Sequence, residues 1–221
     1  MDRNKEEKMI AKIRNLFALA ANDGATGSES ETALRMANAL LAKHSIEKFR
    51  LHEEDEVFAS FMDYPIAQDW VKKVISHITR FYNCRVIFDY NWTPAKSMII
   101  GTSANRITAI IVIDQLISQI KKEKGNIAFK NGAAFGLYEK CKEILDGREN
   151  KHEEVIPGTG LTIIDVEEQQ KINVDDFIKA NYNNLSSGRR GGKAMSAEGR
   201  AYGQGLNPNA RVGGASQKCL N

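Results

Sequence analysis

The chain has 221 residues, 42% of them hydrophobic and 27% charged, with a formal net charge of +3. That balance excludes a collagen, a coiled-coil rod and a wholly disordered chain, and leaves length for one sizeable domain or two small ones around a buried core. The longest uncharged apolar run, Ile107 to Ile113, is far too short to span a bilayer. The opening residues Met1 to Lys8 are mixed in charge and lack the apolar stretch of a secretory signal. Cys84, Cys141 and Cys219 are widely spaced and form no C-x-x-C pair, which fits a reducing compartment. The expectation is a cytoplasmic protein with no membrane partner.

In chain order, Met9, Ile10, Ile13, Leu16, Phe17 and Ala20 recur at helical spacing and predict an amphipathic helix over residues 5–22. Asn22-Asp23-Gly24 ends it. Ser28 and Glu31 form a capping box for a second helix carrying Ala33, Leu34, Ala37, Leu40 and Leu41 on one face. The two make a helical hairpin over residues 1–46, followed by a polar connector. Val57 to Met62 reads as a strand, and Pro65 suits the first turn of a helix lined by Trp70, Val71, Val74, Ile75, Ile78 and Phe81. Arg85 to Tyr90 and Lys96 to Ile100 read as a β-hairpin whose turn holds Trp92.

The segment after Gly101 is rich in β-branched residues, which favours strand. Its length, Asp114 and Gln115 in its middle and a cap at Ser103 point to a buried helix instead. Phe129, Ala133, Gly136, Leu137 and Ile144 mark a further helix ending near Gly147. Leu161 to Asp165 reads as a short strand, and Val174 to Ile178 as part of a helix. Ala194 to Gly205 predicts a last helix, with Gly199 and Gly203 one turn apart and suited to close backbone approach. The fold class expected is α+β: an N-terminal helical hairpin, then a mixed domain over 57–180 with a small, largely antiparallel sheet packed by helices, then a Gly-rich basic segment over 181–221.

Tests for catalytic chemistry find little. The four histidines, His44, His52, His77 and His152, have no metal-binding spacing. The stretch Gly188 to Ala194 fails the phosphate-loop pattern, because Ala194 stands where a hydroxyl would hold magnesium. Acidic clusters such as Glu53-Glu54-Asp55-Glu56 read as solvated faces. No catalytic residue, metal ligand or cofactor is therefore expected.

The basic residues carry the remaining signal. Residues 186–221 hold Arg189, Arg190, Lys193, Arg200, Arg211 and Lys218 against Glu198 alone. A basic end on a near-neutral body is one footprint of nucleic-acid contact, and a flexible solvated tail is the competing reading. Lys5, Lys8, Lys12 and Arg14 lie along the first helix. Lys72 and Lys73, then Lys121, Lys122 and Lys124, add clusters. Trp92, with Lys96 close by, has the chemistry to stack on a base, or else anchors the hairpin on the core.

The run Lys12 to Ala20, a short acidic and small-residue loop, and Glu31 to His44 together resemble the opening of the domain of unknown function 2786 family, found in phage and bacterial proteins. Asp69-Trp70, Phe81 to Cys84, Ile100-Gly101 and Phe129 to Ala134 are similar to the segment that usually follows it. Ala197 to Leu206 is similar to the small-residue helix that closes such chains. Phe17 departs from the aliphatic residue more usual there. The resemblance implies a phage or mobile-element context and a glycine-rich segment that docks on the body. It supplies no catalytic residues.

The leading expectation is a non-catalytic nucleic-acid-binding accessory protein, acting on DNA before RNA, through Lys5, Lys8, Lys12, Arg14, Trp92, Lys96, Arg189, Arg190, Lys193 and Arg200. The alternatives are a phage factor that engages or inhibits a host protein through the N-terminal hairpin, with self-association open to it, and an enzyme of unknown type.

Overall fold

The computed structural model describes residues 57–62, 68–91, 95–149, 163–183, 185 and 193–208, together with 8, 11–13, 15, 16, 19, 32, 33, 36, 37, 39 and 40. The chain divides into two units, Met1–Glu54 with Asn209–Asn221, and Asp55–Pro208. In the first unit the described residues are helical, and Ile13, Ala33 and Ala37 are buried. The turn of the expected hairpin lies outside the described residues.

The second unit is α+β. Its strands are β1 (Val57–Met62), β2 (Arg85–Asp89) and β3 (Lys96–Thr102), in the order β1-β3-β2 and antiparallel throughout. The register sets Ala59 opposite Ile100 and Phe61 opposite Met98, while Ile87 also faces Met98 and Asp89 faces Lys96. Period-two alternation then splits the strands between two faces. Val57, Ala59, Ile87, Met98 and Ile100 lie on one face and pack with Val174, Phe177, Ile178 and Tyr182. Ile99, fully buried, points to the other.

Helix α1 (Asp69–Phe81) buries each of the six apolar residues expected of it. Its start at Asp69 is a correction: Pro65 precedes the helix and lies outside the described residues. It ends where Asn83 takes a left-handed φ of 53°, a conformation asparagine tolerates better than most residues. Helix α2 (Ser103–Lys122) is the buried helix that its length and polar centre indicate, with Ala109, Val112, Ile113, Leu116, Ile117 and Ile120 buried. Its cap is Thr102, the last residue of β3, whose hydroxyl accepts from the Asn105 N–H at 3.4 Å; Ser103 is already helical.

Helix α3 (Ile127–Glu149) packs on α1. Helix α4 (Ile163–Asn181) corrects the strand expected at Leu161 to Asp165. Val166, Gln170, Val174, Phe177 and Ile178 recur at helical spacing on the side that meets the sheet, so one continuous helix buries more than a short strand followed by a helix would. Helix α5 (Ala197–Gly205), capped by the Ser196 hydroxyl, docks on α3. The sheet therefore lies between α4 on one face and α1 and α2 on the other, with α3 and α5 stacked beyond α1.

Candidate nucleic-acid interface

Outside its buried arc, α1 presents Asp69, Lys72, Lys73, His77 and Arg80. Around this helix the structure places cations over aromatic rings. The Lys72 ammonium stands 4.9 Å from the ring centroid of Tyr90, just past the end of β2, and Lys130 of α3 stands 5.9 Å from Trp70. At the same end of the sheet, Lys96 lies 5.8 Å from the Phe61 ring. Tyr90 is 63% exposed and Phe61 50%, so both rings remain open to a further stacking partner.

Lys193 forms an ion pair with Asp69, whose other oxygen meets Lys72 at 3.6 Å. The Lys193 hydrogen bond, with added attraction from Lys72, holds the Asp69 carboxyl below its ordinary range. Lys193 is anchored there because its segment is tied to α3: the Ser196 N–H donates to the Ala128 carbonyl at 3.0 Å and the Asn131 amide to the Ala194 carbonyl at 3.3 Å.

Further along α1, the His77 ring lies 4.8 Å from that of Tyr138 on α3. Burial pushes the imidazole pKa down to about 4, and the positive Arg80 and Lys73 push the same way. Tyr138 touches Phe135, and Arg200 of α5 stacks 5.3 Å over Phe135. Two of these groups, Tyr90–Lys72–Asp69–Lys193 and His77–Tyr138–Phe135–Arg200, lie along α1 and its neighbours, whereas Phe61, in register with Met98, and Lys96, two residues before Met98, stand on the α4 face of the sheet. The two groups along α1 define a cation-rich surface with aromatic rings set into it.

The expected binding residues fall in different places. Lys96 stands beside Phe61 on the opposite, α4 face of the sheet, while Lys193 comes to this surface. Arg200 reaches it too but is engaged: its Nε donates to Glu139 at 2.7 Å, its Nη2 pairs with the same carboxylate, and the Arg200 hydrogen bond lowers the Glu139 pKa. Lys8 and Lys12 are exposed on helical residues of the first unit. Lys5, Arg14, Trp92, Arg189 and Arg190 lie outside the described residues; Trp92 belongs by sequence to the turn between β2 and β3. Sequence reading missed Lys130, His77, Arg80, Tyr90 and Tyr138 as members. Only contacts between distant elements bring these together, although the spacing of Lys73, His77 and Arg80 was a usable signal.

A cavity of ≈ 430 Å³ opens elsewhere, between the α2–α3 connection and the start of α5, lined by residues that include Glu123, Lys124, Phe129 and Glu198. Its two carboxylates make it a poor host for an anionic ligand. Among the described residues no group of three His, Cys, Asp or Glu side chains is placed to hold a metal ion, and no helix is long and apolar enough to cross a membrane.

Fold and surface together define a small α+β protein with a helix-flanked antiparallel sheet and a cationic, aromatic-studded side. Residues 8–48 match the family model described as "Protein of unknown function (DUF2786)", so the N-terminal segment of the chain is similar to that family. No curated protein and no solved structure matches the chain.

Proposed function

We propose that this is a non-catalytic nucleic-acid-binding accessory protein of phage or mobile-element type, acting in the cytoplasm and preferring single-stranded DNA. The observation that carries this reading is the set of cations along α1 and its neighbours, Lys72, Lys73, Arg80, Lys130 and Lys193, with the exposed rings of Tyr90 and Tyr138 among them. Cations attract the phosphate backbone without regard to sequence, and exposed rings stack on unpaired bases. The affinity then comes from charge and stacking, with slight sequence readout.

Photocrosslinking to an oligonucleotide carrying a halogenated pyrimidine, followed by peptide mass spectrometry, tests it. Adducts on Tyr90, Tyr138 or Trp92 are expected. Adducts confined to other surfaces, or none, would refute the assignment. A second reading, a factor that binds a host protein, draws on Leu19 and Met36 of the first unit, which are 51% and 47% exposed.

A further inference from the structure

Lys73, His77 and Arg80 follow one another at four and three residues and so share one edge of α1. Lys72, Arg85, Lys140, Lys179, Lys193 and Arg200 each have a carboxylate partner. By contrast, no described carboxylate forms an ion pair with any of these three. His77 is held in place by packing: its ring lies tilted at 38° against that of Tyr138, and neither nitrogen has a hydrogen-bond partner among the described residues. The charges that act on the ring are Lys73 and Arg80, both positive, and Tyr138 is the titratable group that α3 turns toward it. No described charge on β2 or α2, also packed against α1, acts on it.

Such an edge repels itself when empty. A phosphate anion placed on it relieves the repulsion, accepts hydrogen bonds from the ammonium and the guanidinium, and makes a protonated imidazole more favourable beside it. We propose that Lys73, His77 and Arg80 form a binding site for one phosphate group, with His77 taking up a proton from solvent as the phosphate arrives in acidic solution. The site deepens the nucleic-acid reading and rests on it only for the source of the phosphate: a strand's backbone or a small phosphate-bearing molecule. Only hydrogen bonds and ion pairs form, and binding tightens as pH falls through the pKa of the occupied state.

The test is an NMR pH titration of the His77 ring protons in the full-length protein, in inorganic phosphate and in chloride at equal ionic strength. A midpoint raised in phosphate by about one pH unit is expected. The rise should vanish in a Lys73→Ala/Arg80→Ala variant. The same midpoint in both salts would overturn the proposal. A short thymidine oligonucleotide forms the second arm. If phosphate moves His77 and the oligonucleotide binds without moving it, the nucleic-acid reading stands and this site takes a small phosphate-bearing molecule instead of the strand; if neither moves His77, the site is refuted. If phosphate moves His77 and the oligonucleotide does not bind, the site stands with a small ligand as its source and the nucleic-acid reading fails.

Discussion

Gly203 of α5 lies against Ala133 of α3 so closely that a Cβ on Gly203 would stand 2.0 Å from the Ala133 carbonyl oxygen. One turn earlier, Gly199 meets the Phe129 carbonyl in the same way, at 2.1 Å. The relation is reciprocal, since a Cβ on Gly136 would stand 2.0 Å from the Arg200 carbonyl and one on Gly132 2.5 Å from that of Ser196. Two glycine pairs, each spaced by four residues, let the helix backbones touch. Two glycines weaken so short a helix by propensity, so α5 is held by this packing, flanked by the Phe129–Tyr202 ring contact at 5.5 Å.

Gly203→Ala is therefore expected to cost about 2 kcal/mol or more, because backbone cannot yield as a flexible side chain can. A lowered Tm and earlier protease cleavage near residue 193 would show it. Glu139→Gln, which disturbs only the exposed contacts to Arg200 and Gln204, should lower Tm by less. Equal losses from the two variants would contradict the view that the glycine crossing holds α5.

His77 gives the fold an acid weakness. Its folded pKa of about 4 lies below the ordinary 6.5, so between those values the unfolded chain binds more protons than the folded one. The stability due to the neutral ring is thus fully present above about pH 6.5, falls as pH drops toward 4, and falls no further below that. In phosphate-free buffer, His77→Gln should reduce this loss by at most about 3 kcal/mol. Urea midpoints at pH 7 and pH 4 measure the difference, and parallel losses in both proteins would count against it.

Cys84 is buried, and burial pushes its thiol up to about 12. It packs as a small apolar side chain and presents no thiolate at neutral pH. Alkylation of Cys84 in the native protein should proceed no faster than unfolding, with Cys141, also buried, behaving alike. Rapid labelling of Cys84 under native conditions would show that the α1–β2 corner opens locally.

Much of the second unit is legible in the sequence because local pattern and tertiary need agree there. The apolar spacing of Trp70 to Phe81 marks α1, alternation marks β2 and β3, and Gly199 and Gly203 announce a close helix contact. The failures have physical causes. Ile163 and Ile164 read as strand because β-branched residues favour it, yet Val166, Gln170 and Val174 beyond them bury one side of a longer helix against the sheet. Thr102 caps α2 from within a strand, a double role that hides the boundary. The surface was harder to see. Lys130 and Trp70, or His77 and Tyr138, lie some sixty residues apart, and only the packing of α3 on α1 makes them neighbours.

Single changes on that surface should separate stacking from charge. Tyr90→Ala is expected to weaken binding of single strands about tenfold, the loss of one stacked base, with little change in salt dependence. Lys130→Ala should weaken all sequences alike and reduce the salt slope by about one. If Arg189→Ala/Arg190→Ala leaves affinity untouched, the basic segment before α5 has no part in binding.

The central claim, that the α1–α3 side of the protein binds a nucleic-acid strand, is tested most directly by fluorescence anisotropy with a labelled single strand across a salt series. The wild type is compared with Lys73→Ala/Arg80→Ala/Lys130→Ala. The prediction is micromolar or tighter binding at low salt, a steep fall in affinity as salt rises, and a slope shallower by about three in the triple variant. Absence of binding at low salt, or the same slope in both proteins, would contradict it.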